Sequence, residues 1–266
     1  MTSAPRIVCL VPSVTELLVD LGLTPWIVGR TGFCIHPHQV VSTIAKVGGT
    51  KDVNLAKIQQ LAPTHVVVNV DENELPTVEK LRQFVPHVIV THPRAPLDNV
   101  ALIDQLQAAF ATNLIANNAI NTSANRLKEQ IIERLRPLKQ QVWPAQRVLY
   151  LIWREPWMTV ARDTYISRML ELIGWQTWPE EMGEEKGASR YPRLAGHEPW
   201  LQTVDRVLLC SEPYRFGAQH VQEVQAWLPQ AKVQRVDGEL LSWYGSRAVK
   251  GLDYLLGLAT SAESSP

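Results

Sequence analysis

The sequence predicts an α/β protein, and three observations carry that reading. Short apolar runs rich in β-branched residues occur at Ile7 to Val11, His65 to Asn69 and Val88 to Thr91, then at Val148 to Ile152, Val207 to Cys210 and Val233 to Val236. Continuous runs of this kind, bounded by turn residues, suit parallel strands covered on both faces. Between them lie longer stretches with apolar residues at three- and four-residue steps, the period of amphipathic helices. The pattern also repeats. Arg6 to His65 and Arg147 to Arg206 both span 59 positions, and "LLVDLGL" at Leu17 to Leu23 is echoed by "MLELIGW" at Met169 to Trp175. Two similar halves are therefore expected.

The segment joining the halves places Ile120, Leu127, Ile131, Leu135 and Leu138 on one helical stripe. It predicts a single helix from about Ile120 to Gln141, with Pro137 expected to kink it or end it early, because proline lacks an N–H and clashes one turn back. At 1.5 Å per residue, some twenty residues would span about 30 Å, roughly the width of a lobe. The expected organisation is a first α/β lobe over residues 1–115, a connecting helix over 116–143 and a second α/β lobe over 144–266.

Composition narrows the function classes. Lys plus Arg and Asp plus Glu number 26 each, so the chain lacks the excess positive charge by which proteins hold nucleic acid or anionic membranes. A small-molecule or protein partner fits better, without nucleic acid and without membrane insertion. Cys9, Cys34 and Cys210 are far apart and odd in number, which argues against a disulfide framework. No apolar run approaches the length of a membrane helix, and Ile7 to Val11 follows Met1 too closely for the core of a signal peptide. Cys9 also lacks the surroundings of a lipoprotein cleavage site. As it stands the sequence reads as cytoplasmic; a periplasmic location would need a leader that has been removed or a different start.

In open parallel sheets the ligand crevice lies beyond the carboxyl ends of the strands. That rule selects the loops "VPSVTE", "GGTKD", "NVDENE" and "THPR" in the first half, and "WREPW", "CSEPYRFG" and "VDGELLSWYGSR" in the second. Ser13 to Glu16 fits a capping box, which would set a helix N-terminus beside the crevice. Eight of nine tryptophans and all six tyrosines lie at or after position 143. Trp157, Tyr191, Trp243 and Tyr244 fall on the loops, where broad rings with a polar edge suit a large planar ligand. Trp175, Trp178 and Trp227 read as core. In "FCIHPH", Cys34, His36 and His38 alternate, a spacing that a strand can aim at a metal, with His92 as a further candidate; capping or packing roles fit these residues better. Phosphate-loop, nucleophile-elbow and HExxH motifs are absent, as is the Asp-x-His-x-x-Gly signature of corrinoid enzymes that ligate cobalt.

"RIVCLVPSVTELLVDLGL" and "VGGTKDVNLAKIQQLAPTHVVVN" resemble the first lobe of the periplasmic binding proteins for vitamin B12 and iron siderophores, the helical-backbone metal receptors of class III ABC transporters. The similarity extends through the connecting helix to "VDGELLSWYGSR". It implies two Rossmann-like lobes joined by one backbone helix, a monomer, and a metal chelate bound whole between the lobes without a required cofactor. The expected ligand is a corrinoid or an iron chelate, such as a ferric siderophore or haem. Carried across by position, the resemblance gives Ser13 at the helix cap, Phe33, Trp157 and Tyr191 as aromatic walls, the pair Trp243 and Tyr244, and Arg247 one place beyond the receptor's arginine.

Departures are visible too. Two indole positions become Thr50 and Asn69, and the residue before the aromatic pair becomes Ser242, which makes the floor more polar. Trp153, Arg154 and Glu155 have no counterpart in the B12 receptor pattern; Arg154 either pairs with ligand groups or forms a salt bridge with Glu155. Glu72, Glu74, Glu212 and Glu223 are the expected carboxylates for docking on an ABC-transporter permease. Two alternatives stay open. One is a receptor for bare zinc, manganese or iron through Cys34, His36, His38 and His92; the other is an enzyme or chelatase with Glu155 or His36 as acid or base.

Overall fold

The computed structural model describes residues 4–110, 117–184 and 187–263, and the expected boundary at residues 115 and 116 lies outside them. The chain divides into two compact units. One comprises Met1–Pro93, Asp98–Ile131 and Tyr244–Arg247; the other comprises Arg94–Leu97, Ile132–Trp243 and Ala248–Pro266.

The first unit runs β1 (Ile7–Cys9), α1 (Pro12–Asp20), β2 (Ile27–Arg30), α2 (His38–Val41), β3 (Ala45–Lys46), α3 (Leu55–Gln60), β4 (His65–Asn69), α4 (Leu75–Arg82), β5 (His87–Thr91) and α5 (Asp98–Phe110). Its five strands are parallel in the order β3-β2-β1-β4-β5. Helix α6 (Asn117–Gln140) passes from the first unit to the second. The second unit continues β6 (Gln146–Leu151), α7 (Tyr165–Glu171), β7 (Trp175–Thr177), β8 (Arg206–Cys210), α8 (Ala218–Trp227), β9 (Lys232–Val236), α9 (Gly238–Ser242) and α10 (Ala248–Glu263). Its four strands are parallel in the order β7-β6-β8-β9. Among the described residues no helix is long and apolar enough to cross a membrane.

All six strands expected from apolar runs are present. Those at the sheet centres are dry because helices cover both faces: β1 and β8 are buried along their whole length. Three further strands, β2, β3 and β7, leave no such signal in the sequence. They have four, two and three residues, β3 is exposed, and Gly29 interrupts the apolar run of β2. That glycine is needed for packing, since a Cβ there would stand 2.8 Å from Leu61 Cδ1 and 3.0 Å from Val8 Cγ2.

The repeat is structural. Ile7 pairs with His65 in one sheet and Val148 with Arg206 in the other, the same offset in each. Immediately before these pairs, the Arg6 N–H donates to Thr64 Oγ1 at 2.8 Å and the Arg147 N–H to Asp205 Oδ2 at 2.7 Å, each bond spanning 58 residues. The paired "LGL" and "IGW" segments share a cause as well. Gly22 and Gly174 follow α1 and α7 with φ of 82° and 73°, the left-handed turn that lets a helix end and the chain return to its sheet.

Helix α6 buries Ile120, Leu127, Ile131, Leu135 and Leu138, the expected stripe, together with Ala124. Pro137 does not end it early, for three further residues remain helical. The proline sits in the last turn, where its own carbonyl still accepts from Gln141 N–H at 3.1 Å.

Candidate functional site

Each sheet reverses its strand order once, between β1 and β4 in the first unit and between β6 and β8 in the second. At such a switch point the loops leaving adjacent strands diverge, and a crevice opens at their carboxyl ends. The loops concerned carry Ser13 and Val70–Glu74 in one unit, and Trp153–Trp157 and Ser211–Gly217 in the other.

In the first unit this end is polar and tightly bonded. Asn69 is buried; its side-chain N–H donates to the Thr91 carbonyl (3.0 Å) and its Oδ1 accepts from Asp71 N–H (2.8 Å), while its own N–H donates to Asn73 Oδ1 (2.8 Å). Asn73 in turn donates to the carbonyl of Thr50 at 2.9 Å. His92 Nε2 stands 3.5 Å from Asp71 Oδ2. Thr50 and Asn69, both expected from the sequence, are thus linked through Asn73, which the sequence does not single out.

The capping box at Ser13 is not formed. Val11 takes the cap position, without a side-chain cap bond, and Pro12 begins the helix. Proline suits that first position because its fixed φ is helical and its missing N–H would be unpaired anyway. Ser13 is consequently a buried residue of the first turn. Glu16 accepts from Arg247 Nε and Nη2 at 2.7 and 2.9 Å. Tyr244, also buried, donates its hydroxyl to Glu72 Oε1 at 2.6 Å. Burial, with the Glu72 charge beside it, raises the phenol pKa well above its ordinary value, so Tyr244 acts as a hydrogen-bond donor. Phe33 is 62% exposed, and its ring edge lies beside Gly49, where a Cβ would stand 3.4 Å from Phe33 Cε2.

The second unit presents an aromatic wall. The loop after β6 closes on itself: Ile152 N–H donates to the Met158 carbonyl (2.9 Å) and Met158 N–H to the Trp153 carbonyl (3.1 Å). Trp157 stacks on Phe216 (centroids 6.1 Å, planes 6° apart) and on Trp227 (5.6 Å, 25°). Trp153 meets Tyr214 edge-on at 5.5 Å, and Tyr214 packs on Phe216 at 4.7 Å. Trp153 stays 41% exposed. Thus the loop from Trp153 to Met158 meets the loop after β8 in a continuous band of rings. Trp227, expected in the core, belongs to this band; its indole N–H donates to the Gly196 carbonyl at 3.1 Å. Tyr214 and Phe216 also join it without having been expected. Their loop, "CSEPYRFG", follows a strand and so belongs to the crevice, and its two rings were the available signal.

Arg154 lies 5.8 Å over the Trp157 ring. Its Nε and Nη2 donate to Glu223 at 3.0–3.2 Å and its Nη1 to Glu155. Of the two roles open at the sequence level, the salt bridge with Glu155 is formed, and Glu223 is its unforeseen second partner. Trp243 is buried and donates Nε1–H to Glu212 Oε1 at 2.6 Å; Ser242 Oγ donates to the same oxygen at 3.2 Å. Tyr191 is half-buried between Arg190 and Pro192. Of the four expected docking carboxylates, then, Glu72, Glu212 and Glu223 bind side chains of their own units, while Glu74 is exposed at the start of α4.

The metal alternative does not assemble. Cys34 is buried, its thiol 3.1 Å from the hydroxyls of Thr15 and Thr31, and burial pushes its pKa up, so it is held as a neutral thiol. His36 and His38 do not continue a strand; His38 opens α2 and is exposed. Among the described residues no group of three or more His, Cys, Asp and Glu is placed to hold a metal ion. A cavity of about 330 Å³, lined by Leu138, Lys139, Trp143 and Glu171 among others, lies at the amino ends of β6 and β7, the edge opposite the switch-point loops.

Two parallel sheets of matching register, each with its candidate loops at a switch point, are joined through one long helix. The family model described as "Periplasmic binding protein" matches residues 7–227, and the chain belongs to that family. Comparison with curated protein sequences finds no match. Among solved structures, the periplasmic vitamin B12 binding protein BtuF of Vibrio cholerae superposes with a TM-score of 0.78 at 18% identity, covering 98% of this chain and 99% of that one. The periplasmic heme-binding protein RhuT from Roseiflexus sp. RS-1 gives 0.76 at 18% identity, covering 98% and 100%. The periplasmic heme-binding protein HutB of Vibrio cholerae gives 0.74 at 20% identity, covering 96% and 99%. At these identities the likeness establishes the fold.

Proposed function

We propose that this protein is a non-catalytic receptor that binds a metal chelate whole at its switch-point loops, and that it serves ABC-type uptake or carriage of that chelate. The observation that carries the reading is the aromatic band at the switch point of the second sheet, where Trp153, Tyr214 and Trp157 are partly exposed and the buried ring of Phe216 backs them. Burying the face of a macrocycle against such rings contributes about 25 cal/mol per Å² before ordering costs, enough to dominate affinity for a broad ligand. A chelate brings its own metal ligands, which suits loops rich in rings and amides. The ligand classes of the structural relatives, vitamin B12 and haem, support a corrinoid or an iron chelate.

Membership of a solute-binding family favours a receptor over an enzyme. Glu155, the suggested acid or base, is instead engaged by Arg154. Docking on a permease belongs to the same reading. Glu74, exposed at the start of α4, suits that role better than Glu72, Glu212 or Glu223, whose carboxylates are occupied by Tyr244, Trp243 and Arg154. The test is titration with cobalamin, cobinamide, haem and a ferric siderophore while tryptophan emission is followed. Saturable quenching by one of them is expected; unchanged emission with all four rejects the ligand class.

A further inference from the structure

The aromatic band carries a charge arrangement that bears on which chelate it accepts, and the inference rests on the receptor reading above. Helix α8 places Glu223 and Trp227 four residues apart, hence on one face. The loop after β6 places Arg154 and Trp157 three residues apart. The two elements meet in register: Trp157 stacks on Trp227 while Arg154 bonds Glu223. Glu155 then adds a second carboxylate to the same guanidinium. Its side chain is 77% exposed against 40% for Glu223, and its backbone holds a left-handed φ of 63°, a conformation that non-glycine residues rarely adopt.

One cation therefore faces two anions at the rim of the ring-binding surface. The guanidinium would ordinarily offer a planar fork to a ligand carboxylate. Here Glu223 already occupies that fork through Nε and Nη2, and Glu155 engages Nη1. A ligand carboxylate would have to displace one of them and would meet the other as a like charge. A ligand amide or hydroxyl meets no such cost. Its N–H or O–H can donate to the exposed Glu155 carboxylate, which accepts on both oxygens.

We propose that Arg154, Glu155 and Glu223 form a charge filter, which admits chelates whose rim carries neutral hydrogen-bond donors and disfavours chelates whose rim carries carboxylates. The preferred class is a neutral or cationic macrocyclic chelate fringed by amides. Arg193 and Arg215 are the other arginines near these loops, and both are exposed. Water and salt weaken all of these exposed charges, Glu155 included; Arg154 differs from the other two arginines in lying over the Trp157 ring with both carboxylates on its guanidinium.

The experiment measures dissociation constants for cobinamide, an amide-fringed chelate, and for haem, a carboxylate-fringed one, in low salt. It compares the wild-type chain with Glu155→Gln, Glu223→Gln and the double variant. Both positions are exposed enough that folding should persist, which thermal melting checks. The wild type should favour cobinamide. Each single variant should shift the haem-to-cobinamide affinity ratio toward haem by about five- to tenfold, the double variant by more, and 0.5 M salt should shrink the shift. An unchanged ratio in the double variant, with either chelate bound, overturns the filter while leaving the receptor reading intact. The filter is likewise overturned if Arg193→Gln or Arg215→Gln moves the ratio more than the glutamate variants do. Failure of the wild type to bind either chelate or any other chelate in the panel overturns the receptor reading, and the filter with it.

Discussion

At the scale of single residues, Trp157 bears the most weight. It stacks on two rings at once and has a guanidinium over its face. Replacing it with alanine should lower chelate affinity at least about tenfold, equivalent to about 1.4 kcal/mol. It should also cost stability, since aromatic pairs contribute about 0.5–1.5 kcal/mol each beyond their area. Ligand titration and urea unfolding of the same variant measure the two losses. A second residue makes the molecule sensitive to acid. His65 stacks on His87 at 4.7 Å and packs on Phe110 at 5.0 Å. Burial first, and His87 second, lower its pKa from 6.5 to about 4. Between those values the unfolded chain binds a proton that the folded chain refuses, so stability falls as pH drops through 6.5 toward 4. His65→Gln should flatten that part of a pH–stability profile recorded by urea unfolding.

At the scale of elements, the two helix-ending glycines separate backbone strain from crowding. Both have positive φ, yet a Cβ at Gly22 meets nothing within 4 Å, while one at Gly174 would lie 2.8 Å from the Pro144 carbonyl oxygen. Gly22→Ala should therefore cost about 1 kcal/mol, and Gly174→Ala clearly more, by chemical denaturation. A buried ion pair gives a sharper test. Asp163 accepts from Gly183 N–H (2.7 Å), Arg190 Nη1 (2.9 Å) and Arg94 Nη2 (2.6 Å), and Arg190 is fully buried. Burial opposes the Asp163 charge, but these donors outweigh it and hold the carboxyl below its ordinary pKa. Asp163→Ala should cost about 3–5 kcal/mol by leaving a buried cation without its counter-charge.

Legibility differs by element as well. Central strands and the stripe of α6 can be read because burial on both faces, or on one helical face, imposes a period on the sequence. Edge strands such as β3 bury too little for a period to appear. The start of α1 departs from expectation because Ser13 and Glu16 match a local motif, whereas Glu16 answers to Arg247, a partner 231 residues away. The site is legible in the same measure. Crevice loops follow from topology, so Trp153, Arg154, Glu155 and Trp157 can be found. The same rule selects the loop of Tyr214 and Phe216; what no spacing in the sequence records is their packing on Trp153 and Trp157, or the bond from Arg154 to Glu223.

For the whole molecule, the duplicated register is the organising fact. The bonds Arg6 to Thr64 and Arg147 to Asp205 span the same distance in sequence, so two sheets with switch points of the same kind arise from one plan. The plan has diverged at the ends that matter: the first unit finishes in asparagine, threonine and paired carboxylates, the second in stacked rings. The most direct measurement is the set of indole N–H resonances of the nine tryptophans, assigned by single Trp→Phe variants and followed as a chelate is added. The account predicts that the signals of Trp153 and Trp157 shift first and furthest, while those of Trp178 and Trp200 hold still. Saturable binding that moves the latter pair and leaves Trp153 and Trp157 untouched would contradict it.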